Sequence, residues 1–70
     1  MIKATNLIAI STLLYSASEV INTSKNLAGD DDVLNELLSK IRSDILTCRL
    51  IALKHAERAR KELANENNQK

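Results

Sequence analysis

The chain has 70 residues, a formal net charge of +1, no proline, one glycine and one aromatic residue. A chain of this length forms a single domain with a small core. Abundant aliphatic residues with few turn residues are typical of helices and argue against strands. The near-neutral charge excludes recognition of nucleic acid by overall charge alone. The single cysteine excludes an internal disulfide.

Residues 1–20 have the composition of a secretory signal, with a lysine, an apolar run and small residues. Polar residues interrupt the run at Asn6, Ser11 and Thr12, and its apolar residues recur as in a packed helix. The segment is also expected to be too short and too polar to span a bilayer. We therefore predict a cytoplasmic protein without membrane association, with a secretory signal as the alternative.

A first helix is predicted over residues 3–28. Apolar and small residues recur there at alternating steps of three and four, which places them on one helix face. The residues of this face are Leu7, Ile10, Leu14, Ala17, Ile21, Ser24 and Ala28, widened by Ile2, Ala9, Leu13, Val20 and Leu27. The residues predicted to face water are Ser11, Tyr15, Ser18, Asn22 and Lys25.

A second helix is predicted over residues 31–65. Its core-facing row follows steps of three, four and four, an eleven-residue repeat that drifts little on an ideal helix and predicts one long element. The row consists of Leu34, Leu37, Ile41, Ile45, Cys48, Ala52, Ala56, Ala59 and Leu63. Residues 66–70 are polar and lack periodicity, so we expect a domain of residues 1–65 followed by a frayed tail.

The segment between the helices contains Gly29 followed by three aspartates at residues 30–32. Glycine commonly adopts the left-handed conformation that ends a helix, and an aspartate caps the helix that follows. A calcium loop instead needs spaced oxygen ligands, a mid-loop glycine and a closing glutamate. Because that spacing is not met, the sequence predicts a helix end and a helix start, with no metal site.

The short connection predicts an antiparallel helical hairpin. The second helix carries more apolar residues than one neighbouring helix can cover, so the hairpin is expected to assemble into a helical bundle. The excess residues are Leu46, Leu50, Ile51 and Leu53. They are predicted to form the interface of a homo-oligomer, a dimer or larger.

A target-binding surface is predicted where basic and apolar residues of the second helix combine with two residues of the first. Its members are Arg42, Arg49, Arg58, Leu46, Leu50, Leu53, Tyr15 and Lys25. Arginine binds phosphate or carboxylate groups through two parallel hydrogen bonds. In the alternative interpretation, Arg42, Arg49 and Arg60 lie beside the core row, cover apolar surface and pair with nearby acids.

Catalysis and cofactor binding are not expected. The single histidine, His55, and the single cysteine, Cys48, are seven residues apart and thus separated by two helical turns. A nucleophile and a base do not meet at that spacing within one chain. Cys48 is predicted to lie in the core row as a small apolar residue, and one histidine alone does not make a metal site.

The order of helix, acidic turn and helix from residue 7 to residue 63 resembles the Rop-type hairpin. In that family two hairpins dimerise into a four-helix bundle, and the first helices present an RNA-binding face. The resemblance implies RNA binding through Tyr15, Asn22 and Lys25, with Lys3 at the edge of the surface.

The size and layout are also similar to those of small phage-encoded helical hairpins that oligomerise and sequester host proteins or signalling nucleotides. A nucleotide would need an aromatic ring and cations, which Tyr15 with Lys25, or with Arg42 and Arg49, would supply. The leading prediction is a non-enzymatic, oligomeric hairpin that binds another protein as a small regulator or inhibitor. RNA binding and binding of a small anionic nucleotide are the alternatives.

Overall fold

The computed structural model describes residues 2–68, with the side chains of residues 2–64. These residues form two helices, α1 at Ala4–Ala28 and α2 at Asp32–Asn68, which pack against each other as a hairpin. The predicted all-helical hairpin is therefore confirmed. α2 continues past residue 65, and residues 69 and 70 of the predicted tail lie outside the described residues.

The turn between the helices lies where the sequence predicts it, between Ala28 and Asp32. Gly29 has the predicted positive φ, 60°, in which a side chain would be strained. Its ψ of −120° lies outside the left-handed helical region that the sequence predicts. The backbone N–H of Leu34 donates to Asp31 Oδ1 at 3.0 Å, and Asn35 Nδ2 donates to Gly29 O at 2.8 Å. A side-chain cap of this kind stabilises a helix by about 1 kcal/mol. The aspartate segment thus caps the start of α2.

The hairpin is a thin rod with principal extents of 61 × 14 × 14 Å and a Cα radius of gyration of 16.8 Å. A compact domain of this length has a radius of gyration of about 11 Å. Two helices side by side leave most of each helix uncovered. Among residues 2–64, the buried hydrophobic residues are Leu7, Ala52 and Ala56, with Ile8 packed against them.

The two helices meet along a line that repeats every seven residues. On α1 this line consists of Ala4, Leu7, Ser11, Leu14, Ser18, Ile21, Lys25 and Ala28, which are buried or half-buried. On α2 it consists of Asn35, Leu38, Arg42, Ile45, Arg49, Ala52, Ala56 and Ala59. Leu7 packs against Ala52 and Ala56, which sets the antiparallel register. In this register Ser18 lies at the level of Arg42.

Two serines of α1 are buried in this interface, although their polarity predicts a water-facing position. Ser11 is 4% exposed and Ser18 is 1% exposed. The prediction is wrong because each hydroxyl is satisfied within α1: Ser11 Oγ donates to Ile8 O at 2.7 Å, and Ser18 Oγ donates to Tyr15 O at 2.6 Å. A small side chain whose polar group is hydrogen-bonded can be buried at little cost. It also lets the helices approach closely.

The first half of the predicted core row of α2 is exposed, so that part of the prediction is wrong. Leu34, Leu37 and Ile41 are 44%, 54% and 46% exposed, and Cys48 is also exposed. The eleven-residue repeat follows the most apolar line on α2. The residues of α2 that contact α1 instead follow a seven-residue repeat, which matches the seven-residue repeat of the contact residues on α1. The two rows share only Ile45 and the alanines near the end of α2.

α1 is long and apolar enough to cross a membrane by length and composition, which contradicts the expectation that this segment is too short and too polar. The helix lies near the N-terminus, and few of its residues are buried against α2. Signal sequences and core helices of soluble proteins share these properties. α1 is therefore compatible with a secreted, a membrane or a cytoplasmic location.

Candidate interaction site

Most of the large exposed apolar side chains lie on one side of the hairpin. An α-helix turns by about 100° per residue. On each helix, the residues one position before the interface residues therefore form a second row, about a quarter-turn away from the interface. Because α1 and α2 are antiparallel, these two rows lie on the same side of the hairpin. One broad surface is therefore built from both helices.

We call this surface the apolar face. Its members are Ile10, Leu13, Ala17, Val20 and Leu27 of α1, and Leu34, Leu37, Ile41, Cys48 and Ile51 of α2. Leu13 and Leu27 are 70% and 85% exposed. With Ser24 of α1 and Asp44 of α2, which complete the rows, both rows keep the steps of three and four by which helices pack against further helices. The apolar face is thus an uncovered helix-packing surface.

The opposite side is largely polar and carries a smaller apolar group, which we call the tyrosine face. It consists of Tyr15 with Leu46, Leu50 and Leu53. The Arg49 guanidinium lies over the Tyr15 ring, 5.3 Å from its centroid, within the range of a cation–π interaction. Tyr15 is 51% exposed and Leu50 is 56% exposed. Five of the predicted binding residues therefore lie together.

Ile51 lies away from the three leucines with which the sequence groups it. It follows Leu50 by one residue, which turns it by about 100° around α2. Ile51 is 50% exposed on the apolar face, whereas Leu46, Leu50 and Leu53 lie on the tyrosine face. The residues predicted as one oligomer interface thus divide between two surfaces.

Arg42 and Arg49 lie within the interface between the helices, and not beside it as the sequence predicts. Their side chains are half-buried, and the Nε atom of each is buried without a hydrogen-bond partner. A buried N–H left unpaired costs about 1–3 kcal/mol. In this position the alkyl stems cover apolar surface. These positions agree with the alternative interpretation of the sequence, in which Arg42 and Arg49 cover apolar surface. The pairing with acids that this interpretation also predicts is not seen for their Nε atoms.

Replacing Arg42 by methionine is expected to stabilise the hairpin by about 1 kcal/mol, because methionine keeps an unbranched stem and removes the unpaired N–H. Thermal unfolding followed by circular dichroism measures the change. Lys40→Met is the control, since Lys40 is exposed on the same helix, and its Tm should change little. A lower Tm for Arg42→Met than for Lys40→Met would show that the guanidinium supports the fold.

Two other predicted binding residues lie away from the tyrosine face. Arg58 is exposed at the open end of the hairpin, where it lines a groove of about 280 Å³ that also contacts Ile2 and His55. Lys25 is half-buried in the last turn of α1, near the loop. The structure therefore does not bring either residue together with Tyr15.

Charge is separated along the rod. The acidic residues at the loop end are Asp30, Asp31, Asp32 and Glu36. The open end has the basic residues Lys3, Lys54, His55, Arg58, Arg60 and Lys61 together with the acidic residues Glu57 and Glu62, so basic residues predominate there. Lys61 Nζ lies 3.3 Å from Glu57 Oε1, with both side chains well exposed. An exposed pair of this kind contributes little to stability. The charges therefore remain available for interactions with other molecules.

His55 and Cys48 are both exposed on α2, so the predicted core position of Cys48 is wrong. Across the part of the chain that the structure describes, no group of three or more His, Cys, Asp or Glu side chains could hold a metal ion. Comparison of the chain with protein-family models, curated proteins and solved structures finds no match. The two exposed faces are therefore the features of the hairpin that bear on its function.

Proposed function

We propose that this chain is a non-enzymatic, self-associating helical hairpin that binds another protein and acts as a small regulator or inhibitor. The observation that supports the proposal is the presence of exposed apolar surfaces on opposite sides of one thin rod. Exposed apolar area of this extent on a small protein marks association. One surface serves self-association, and the other remains free to bind a target.

The tyrosine face has the composition of a target-binding surface. Tyrosine and arginine are enriched among the residues that contribute most to protein–protein affinity. The contact between Tyr15 and Arg49 restrains both side chains before binding, which lowers the entropy lost on association. Leu50 adds exposed apolar area beside them. This face is therefore assigned to the target.

We place the protein in the cytoplasm. α1 packs along α2 through small residues, and the interface surface of α2 contains Arg42 and Arg49. Insertion of α1 into a bilayer would separate the two helices, because charged side chains are strongly disfavoured in hydrocarbon. The hairpin and a membrane-spanning α1 are thus competing arrangements, and the packed hairpin supports a soluble protein. The polar residues that interrupt the apolar run, Asn6, Ser11 and Thr12, favour the cytoplasm over secretion.

A second candidate function is binding of RNA or of a small anionic nucleotide. The contact that favours it is again Tyr15 with Arg49, since an aromatic ring beside a cation suits a stacked base and its phosphate. Asn22 lies two turns further along the same side of α1 and extends this surface toward the loop. Salt distinguishes the two functions, because phosphate binding weakens steeply as salt rises.

A capture experiment from the soluble fraction of a native lysate tests the proposal. The immobilised chain is expected to retain a protein at high salt, whereas the variant carrying Tyr15→Ala and Leu50→Ala retains at least about tenfold less, equivalent to ~1.4 kcal/mol. Arg49→Gln should also weaken retention. Sedimentation should give each variant the mass of the parent chain, because these residues lie outside the apolar face.

Thr47→Ala is the matched control, since Thr47 is exposed on α2 outside both faces. Its retention of the captured protein should equal that of the parent chain. Equal retention by the Tyr15 and Leu50 variant would contradict the assignment of the tyrosine face. Retention of ribonuclease-sensitive material that is lost at high salt would favour the second candidate function.

A further inference from the structure

The hairpin exposes more surface than a compact monomer of the same mass, and most of its large exposed apolar side chains lie on the apolar face. The chain has a solvent-accessible surface of 5645 Å². A compact monomer of 7.8 kDa exposes about 4,400 Å². The excess, roughly 1,300 Å², exceeds the ~800 Å² that one partner contributes to a standard stable interface. The hairpin therefore has enough uncovered surface for a complete interface.

The shape and composition of the apolar face suit a second copy of the same chain. Its two antiparallel rows have the same spacing, so two such faces can interlock as an antiparallel four-helix bundle. The α1 row contains no charged residue from Ile10 to Leu27, and the α2 row contains only Asp44 between Leu34 and Ile51. A symmetric interface needs such a self-complementary surface.

The separation of charge along the rod selects between the two orientations of this pair. With both loops at one end, the acidic residues of the two copies would lie side by side, and so would the basic residues. With the loops at opposite ends, Asp30, Asp31 and Asp32 of each copy lie beside the basic open end of the other. Opposite charges attract and like charges repel across an interface. The second orientation also brings the two Asp44 side chains near each other at the middle of the α2 rows. The contacts between acidic and basic ends occur twice and involve more charges, so the second orientation is favoured.

We infer that a second copy covers the apolar face with its loop at the opposite end of the bundle. This inference rests on the self-association proposed above. α1 then packs on α1 and α2 on α2 across the two-fold axis. The apolar row of α2 is centred near residues 42 and 43, so Lys54 of one copy lies at the level of Asp31 of the other.

The distance between spin labels on the two copies tests the orientation. The label is attached to Ala64→Cys in a Cys48→Ala background, because Ala64 is exposed and uncharged at the open end. With 1.5 Å of rise per residue, loops at opposite ends give a label separation of about 60–65 Å, and loops at one end give less than about 25 Å. Double electron–electron resonance measures this separation.

A long distance supports the inference. A short distance overturns the orientation but leaves the proposed self-association standing. The absence of any dipolar interaction, together with a monomeric sedimentation mass of the unlabelled parent chain, overturns both.

The parent chain provides a second measurement if the labelled variant no longer associates. A zero-length carboxyl–amine cross-linker is applied to an equal mixture of isotopically light and heavy chains. Mixed-isotope links from Lys54 to Asp30, Asp31 or Asp32 are expected, because within one copy these residues are about 33–36 Å apart along the rod. Mixed-isotope links confined to residues at the same level of the rod would overturn the inference.

Discussion

Replacing Leu13 and Leu37 together by glutamate should convert the self-associated protein into monomers. Each substitution places a carboxylate on the apolar face, and a two-fold pair would bury four of them. Burial of unpaired charge is far more costly than loss of a leucine contact. We expect the dissociation constant to rise at least a thousandfold, equivalent to ~4 kcal/mol. Sedimentation velocity across a concentration series measures the change.

The matched control carries Thr12→Glu and Ser39→Glu. Both residues are exposed, lie close to the leucines in sequence and belong to the opposite side of the hairpin. The control adds the same charge to the same helices, so its association should resemble that of the parent chain. Dissociation of both variants would point to net charge, and persistence of both would show that the apolar face is not the contact surface.

Replacing Ser18 by leucine should destabilise the hairpin by about 1–3 kcal/mol, because a larger side chain overpacks the interface between α1 and α2. Ser18 is 1% exposed, and in the antiparallel register it lies at the level of the half-buried Arg42. The expected result is a lower midpoint in urea unfolding and a lower Tm. In a small domain of marginal stability, a change of this size unfolds a measurable fraction of the protein.

Ser16→Leu is the control for this substitution. Ser16 lies two residues earlier on the exposed side of α1, so the same change of residue there should leave the urea midpoint nearly unchanged. A stability of Ser18→Leu equal to that of Ser16→Leu would contradict the close approach of the helices at Ser18.

The elements of the fold could be predicted from sequence because their signals are local. Gly29 and Asp31 determine where one helix ends and the next begins. The positive φ of Gly29 and the cap by Asp31 agree with that expectation, whereas the ψ of Gly29 does not. The apolar periodicity that identifies each helix is likewise a property of residues close together in the sequence. The hairpin follows from these features and the short connection.

The faces of the helices could not be assigned correctly by apolarity alone. Helix packing selects the line along which two backbones approach, and here that line contains serines on α1 and arginine stems on α2. Hydrogen bonds within α1 make Ser11 and Ser18 compatible with burial. The leucine-rich row of α2 is consequently left outside. The sequence does contain an indication of this interface, because Ser11 and Ser18 are seven residues apart and so are Arg42 and Arg49.

The candidate site shows the same division between local and tertiary information. The sequence groups Tyr15 with Arg49 and Leu50, and the structure brings these three residues to one surface. The sequence of a single helix cannot show that the exposed rows of α1 and α2 lie on the same side of the hairpin. That result depends on the antiparallel register, which is set where Leu7 meets Ala52 and Ala56.

Sedimentation equilibrium of the parent chain at micromolar concentration is the direct test of self-association. A hairpin that associates through its apolar face should give a mass of at least twice the 7.8 kDa of one chain. A mass of 7.8 kDa in a protein that unfolds cooperatively would show that the hairpin is stable alone, and would contradict self-association.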